Sequence, residues 1–242
     1  MSLVLAKQRG TKLSDVMISY TDHNVVQIPG TQTEYVLDLP ESKTNRAILF
    51  VPGMSGEALG ERYIRLAELA TAEGFALMRS QGWKDSQDLL TKSLKGIHDD
   101  LLACVAFLRT EGYTDLSAIG KSLGGALLLY GGFKDFNRMV LWAPAANVAA
   151  GGTVDALWET PFSKIDSLGD LSISTAALAE LDSHVLLIHG TEDAAIPFEN
   201  MQMLQASLKY AELERVMGMG HSPKTTQEGE ILFSKSISYI KQ

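Results

Sequence analysis

Ile119-Gly120-Lys121-Ser122-Leu123-Gly124-Gly125, the run IGKSLGG, decides how the rest of this sequence is read. Gly120-Lys121-Ser122 resembles the end of a phosphate-binding loop. Gly120 to Gly124 also fit G-x-S-x-G, the tight turn that presents a nucleophilic serine between a strand and a helix. A phosphate loop needs G-x-x-x-x-G-K-[ST], whose successive backbone N–H groups wrap the phosphate. Five residues before Gly120 stands Asp115, a carboxylate in place of the first glycine. The stretch before Gly120, TDLSAI, reads as a turn and a strand rather than a glycine-rich loop. No apolar strand ending in a magnesium-binding Asp stands out either, so the nucleotide reading falls away.

The serine reading needs a strand, a turn and a helix, with small residues two before and two after the nucleophile so that backbones can approach. LSAI (116–119) supplies the strand, GALLLYGG the helix, and Gly120 and Gly124 the small residues. Outward from this point, apolar strands and helical periodicities alternate. RAILFV (46–51), FALM (75–78), RMVLWAP (138–144), HVLLIHG (184–190) and LERVM (213–217) read as strands. Helices are expected over 59–73, around 89–110, from Pro197 onward, and over the closing EGEILFSKSISYIKQ. Before them, DVMISY and EYVLDLP, separated by a polar stretch with Pro29-Gly30, read as an opening antiparallel pair. The alternation predicts an α/β fold: a mostly parallel sheet with an antiparallel start and helices on both faces. Ligands of such sheets sit at the carboxyl ends of the strands. Residues 148–180, rich in Ala, Gly and Ser, fall before the penultimate strand. They are either a small cap insertion or a long crossover within a single 1–242 domain.

A serine at neutral pH needs a base, and the base needs an orienting acid. Of the five histidines, His23 precedes the main sheet, His98 is in mid-helix and His184 starts a strand at its far end. His189 ends that strand and reads as a packing or hydrogen-bonding residue. His221, in GMGHSP, follows the last strand in a glycine-flanked loop and is the expected base. The loop after HVLLIHG, TEDAAIP, offers the acid. Asp193 is taken for it, with its neighbour Glu192 left to solvent, because Ala145, Ala146 and Asn147 after the preceding strand carry no carboxylate.

On these residues the sequence resembles the α/β-hydrolase family. Ser122, Asp193 and His221 stand in the family's order. HGTEDAAIP is similar to its acid loop H-G-x-x-D-x-x-[VI]-P, and GHSP to its histidine loop. The likeness runs from about residue 45 to the end, and 148–180 falls where members insert caps. It implies an oxyanion hole made by the backbone N–H groups of Met54 and Leu123. One departure is visible: where the family has His-Gly after the first parallel strand, this sequence has Pro52-Gly53. The donors are backbone groups, so the principle survives that change.

The expected activity is that of a serine hydrolase, carboxylesterase-like, cleaving a small carboxylic ester through a Ser-His-Asp catalytic triad and an acyl-enzyme. An acyl thioesterase, a peptidase or a carbon–carbon bond hydrolase would use the same triad, and a non-catalytic binding protein on this fold is the reading from another class. Trp83, Trp142, Trp158 and Phe162 are candidates to line the substrate site, as is the Met54 side chain, although each aromatic suits a core equally well. Lys121, beside the serine, is placed to attract an anionic group.

The remaining composition narrows the field. A net charge of -8 and the lack of a basic run argue against nucleic acid. The one cysteine, Cys104, lies in an apolar helical stretch and reads as a buried small hydrophobe. No cofactor or metal is called for. There is no apolar run near the ~18 residues of a membrane span and no signal-peptide pattern, so a cytoplasmic protein acting on a small-molecule acyl substrate is expected. The oligomeric state is not readable from the sequence.

Overall fold

Arg46–Val51 is apolar at every position after the first, and a strand of that composition must be covered on both faces. The computed structural model, which describes residues 25–149, 162–164 and 172–242, shows how this is met. Ile48 and Phe50 join one core and Ala47, Leu49 and Val51 the other, as the two-residue period of a strand dictates.

The strands in chain order are β1 (Val26–Gln27), β2 (Glu34–Asp38), β3 (Arg46–Val51), β4 (Ala76–Gln81), β5 (Asp115–Lys121), β6 (Arg138–Trp142), β7 (Asn147–Ala149), β8 (Ser172–Ser174), β9 (His184–Gly190) and β10 (Ala211–Val216). Eight of them form one sheet in the order β1-β2-β4-β3-β5-β6-β9-β10. β1 with β2 and β2 with β4 pair antiparallel, and every other neighbouring pair is parallel. β7 and β8 pair in parallel as a separate two-stranded sheet.

The helices are α1 (Ile64–Ala72), α2 (Ser86–Leu89), α3 (Leu94–Thr110), α4 (Leu123–Tyr130), α5 (Thr175–Ala179), α6 (Phe198–Ser207) and α7 (Thr226–Ile240). α1 and α7 cover one face through Leu66, Ala70, Phe233 and Ile237. α3, α4 and α6 cover the other, through residues such as Ile97, Leu128 and Leu204. Cys104 is buried within α3, and burial pushes its thiol up to about 12, which leaves it inert as a nucleophile.

Three sequence expectations need correction. The opening pair forms, but the partner of β2 is β1, immediately before the Pro29-Gly30 turn; DVMISY lies outside the described residues. Gly30 takes a φ of 81°, and Thr31 N–H bonds back to the Ile28 carbonyl, closing the turn directly onto β1. The helix expected around 89–110 forms, but it starts later, at Leu94, and a separate one-turn helix, α2, precedes it. The Asp85 carboxylate caps α2 by accepting from the N–H groups of Gln87 and Asp88, while the Ser93 hydroxyl caps α3 by accepting from Gly96 N–H. The Ser93 cap sets the later start, and the Asp85 cap belongs to the short helix before it. The third concerns the aromatic residues and is taken up with the site. Of the 148–180 segment, only 148–149, 162–164 and 172–180 are described. They contain the end of β7, a 3₁₀ turn at Phe162–Lys164, β8 and α5.

Candidate active site

β5 ends at Lys121 and α4 begins at Leu123, so Ser122 alone makes the turn between them. Its φ of 49° is in the left-handed region, an uncommon state for a residue with a side chain. The strain is held from several directions. Ser122 N–H donates to the Trp142 carbonyl at 2.8 Å, and the Ser122 carbonyl accepts from the N–H groups of Ala126 and Ala145 at 3.1 and 3.0 Å. The two motif glycines are required by contact. A Cβ on Gly124 would fall 2.3 Å from the Val51 carbonyl oxygen, and one on Gly120 would fall 2.7 Å from Gly125 Cα. A strained residue pinned this way at a strand end is a candidate functional position.

The structure brings together the three side chains expected from the sequence. His221 Nε2 lies 3.0 Å from Ser122 Oγ, and His221 Nδ1 lies 2.9 Å from Asp193 Oδ2. An ionised carboxylate only accepts, so Nδ1 carries the proton and Nε2 presents its lone pair to the serine hydroxyl. The Asp193 carboxylate has no solvent exposure. Burial pushes its pKa up, but the Ile196 N–H, the His221 ring and the Ala195 N–H all donate to it and together hold it below the ordinary value. Its neighbour Glu192 is exposed, as expected.

Gly190 has a role that the sequence reading did not assign to it. A Cβ there would sit 2.1 Å from the Met219 carbonyl oxygen and 2.6 Å from that of Gly220. The loop carrying His221 therefore lies directly over Gly190, and Glu192 N–H donates to the Met219 carbonyl at 2.9 Å. The pairing of histidine with glycine in HGTEDAAIP was the available signal. His189, the residue before it, is buried. Its ring packs 5.7 Å from Phe198, and among the described residues Nδ1 has no hydrogen-bond partner, with Asp193 Oδ2 at 3.9 Å.

The turn after β3 bends toward Ser122, with Gly53 close to both Lys121 and Ser122. Gly56 takes a φ of 71° and packs so tightly that a Cβ would fall 2.6 Å from the Lys84 carbonyl oxygen. The Gly53 carbonyl accepts from Gly56 N–H at 3.0 Å and from Trp83 Nε1–H at 3.2 Å. This sets the backbone that carries Met54. Leu123, opening α4, has an N–H with no acceptor inside its own helix.

A cavity of about 690 Å³ opens above Ser122 and His221, lined among others by Met54, Glu57, Arg62, Lys121, Asn147 and Asn200. Of the apolar candidates, Met54 lines it, whereas Trp83, Trp142 and Phe162 do not. Trp83 is buried beneath the Gly53 turn. Trp142 packs against Phe50 and Phe233, with its Nε1–H donating to Ser236 Oγ at 2.9 Å. Phe162 is buried in the α3 side of the core. The reason is geometric: Trp142 ends a strand buried on both faces, where a large apolar ring fills the core better than a cleft. Trp158 lies outside the described residues. The charged lining was missed apart from Lys121, because Glu57 and Arg62 have no motif around them and read as ordinary loop and helix surface. Among the described residues no cluster of His, Cys, Asp or Glu could hold a metal, and no helix is long and apolar enough to cross a membrane.

No protein-family model and no curated protein matches this sequence. Solved structures do. Est1E from Butyrivibrio proteoclasticus superposes with a TM-score of 0.69 at 15% identity, over 90% of this chain and 97% of that one. A monoacylglycerol lipase from Paleococcus ferrophilus gives 0.67 at 16% identity, over 87% of this chain and 99% of that one. A thermophilic esterase, Est2 from Thermogutta terrifontis, gives 0.65 at 14% identity, over 91% and 92%. The strand order, the strained serine between β5 and α4 and these superpositions agree: the chain has the α/β-hydrolase fold.

Proposed function

We propose that this protein is a serine hydrolase that cleaves a small carboxylic ester. The observation that carries the reading is the unbroken line from Ser122 Oγ through His221 to the buried Asp193 carboxylate, with both links near 3 Å. As the serine oxygen attacks the ester carbonyl, its proton passes to His221 Nε2, and Asp193 stabilises the imidazolium that forms. The N–H groups of Met54 and Leu123 are the proposed donors to the oxyanion. Collapse of the tetrahedral intermediate expels the alcohol, which takes the proton from His221, and leaves an acyl-serine. Water, deprotonated by His221, then attacks the acyl carbon, and the serine leaves with that proton as the carboxylic acid is released.

The structural neighbours named as esterases and a lipase support an ester as the bond cleaved. A fluorophosphonate probe, which reacts only with an activated serine, is expected to label Ser122 in the folded protein. Ser122→Ala should abolish the labelling and lower kcat/KM on p-nitrophenyl esters by about 10⁴-fold or more. Wild-type rates in that variant would overturn the mechanism. A folded wild-type protein that resists the probe would favour a binding protein on this fold. Graded p-nitrophenyl esters beside acyl-CoA thioesters will rank oxygen against sulfur esters.

A further inference from the structure

The chain is acidic overall, yet the cavity wall is not. Lys121 is the last residue of β5, next to Ser122, and its side chain runs past Gly53 into the cavity. It is 8% exposed, and among the described residues its side chain makes no hydrogen bond or ion pair. An ammonium that lines a cavity and has no side-chain partner there is available to pair with an anionic group of a ligand. Arg62, at the rim of the same cavity, spends one N–H on the Pro223 carbonyl at 3.3 Å. Glu57, also on the wall, is the nearby carboxylate, but it is exposed and not within ion-pair distance of Lys121.

We propose that the cavity is built for an ester that also carries a carboxylate, which Lys121 binds directly with Arg62 closing over it from the rim. The inference rests on the serine-hydrolase reading of Ser122 and names the substrate class for that site. The charges on the wall select the anion. Lys121 and Arg62 against Glu57 leave one net positive charge facing the cavity, which matches a carboxylate monoanion rather than a phosphate dianion. A lysine also suits this place because its ammonium is a compact point charge that one carboxylate can satisfy.

The same surroundings predict a pH signature. Burial, and secondarily the Arg62 charge, pull the Lys121 ammonium down to about 8, with Glu57 opposing them. Beside these three, His221 is the other titratable group on this wall, and it acts on both charged and neutral esters. Above pH 8 the unliganded Lys121 loses its proton, so binding of a carboxylate should weaken while binding of a neutral ester does not.

The test compares p-nitrophenyl monoesters of the six- and eight-carbon dicarboxylic acids with p-nitrophenyl hexanoate and octanoate, in the wild type, Lys121→Met and Arg62→Ala. The wild type is expected to favour a charged ester over its neutral match by about tenfold in kcat/KM. Lys121→Met should erase that ratio through KM, and Arg62→Ala should reduce it. The wild-type KM for the charged ester should also rise above pH 8. No preference at either chain length, or a ratio unchanged in Lys121→Met, overturns the proposal. Arg62 is exposed, so its variant tests the subsite even if Lys121→Met does not fold. If neither ester is turned over and the fluorophosphonate leaves Ser122 unlabelled, the hydrolase reading fails. Calorimetric titration of adipate into the wild type and Arg62→Ala then decides the subsite alone: about tenfold weaker binding in the variant supports it, and no binding to the wild type overturns it.

Discussion

Ser122 shows what a single residue can and cannot say. Its neighbours Gly120 and Gly124 announced the turn, and the clashes that a Cβ would meet at both explain why only glycine serves there. His189 shows the reverse. Its position beside the acid loop was legible, but its burial was not, because that depends on Phe198 arriving from α6. Burial is the main cause that lowers the His189 pKa, and the nearby Asp193 charge opposes it without overcoming it. The folded protein therefore takes up this proton less readily than the unfolded chain. Stability is lost as pH falls below about 6.5, the ordinary histidine value, toward the depressed folded value. His189→Phe should lose less stability than the wild type between pH 7 and pH 5 in urea unfolding, and equal losses would refute the assignment.

At the scale of elements, the site depends on loops stacked at the carboxyl ends of β3, β5, β9 and β10. Periodicity located these strands well, since β3 and β9 coincide with the apolar runs that predicted them. It placed the start of α3 a few residues early, because the Ser93 cap fixes that start, and it gave no sign that the loop after β10 rests on the last residue of β9. Gly190→Ala tests that contact. The added methyl group must displace the Met219–Gly220 backbone, and a shift of about 1 Å in a catalytic group costs about 10²-fold. The expected result is a large fall in kcat with the same far-ultraviolet circular dichroism. Unchanged kcat would show that the loop is not held by this approach.

Across the whole molecule, the antiparallel start is tied to the parallel sheet by charge as well as by backbone pairing. Arg79 on β4 is wholly buried, and its Nε–H donates to Asp38 Oδ2 on β2 at 2.8 Å. Removing one partner of a buried pair leaves the other charge uncompensated, at a cost of about 3–5 kcal/mol. Asp38→Ala should lower the free energy of urea unfolding by about that amount in a single transition if the opening strands belong to the same cooperative unit. A small early transition with the main one unmoved would show that they do not.

The sequence by itself determined the strand–helix alternation, the turn at Ser122 and the choice of Asp193 and His221 as the side chains to look for beside it. Those features rest on local rules: the two-residue period of strands, the conformational needs of a tight turn, and the few residue types able to take or orient a proton. Only the tertiary structure decided which large side chains face the cavity. Trp83 and Trp142 proved to be packing residues, one steadying the Gly53 turn and the other a strand end, while Lys121, Arg62 and Glu57 came to share one wall. A side chain's surroundings depend on segments far apart in the chain, and no local pattern records which of them will meet.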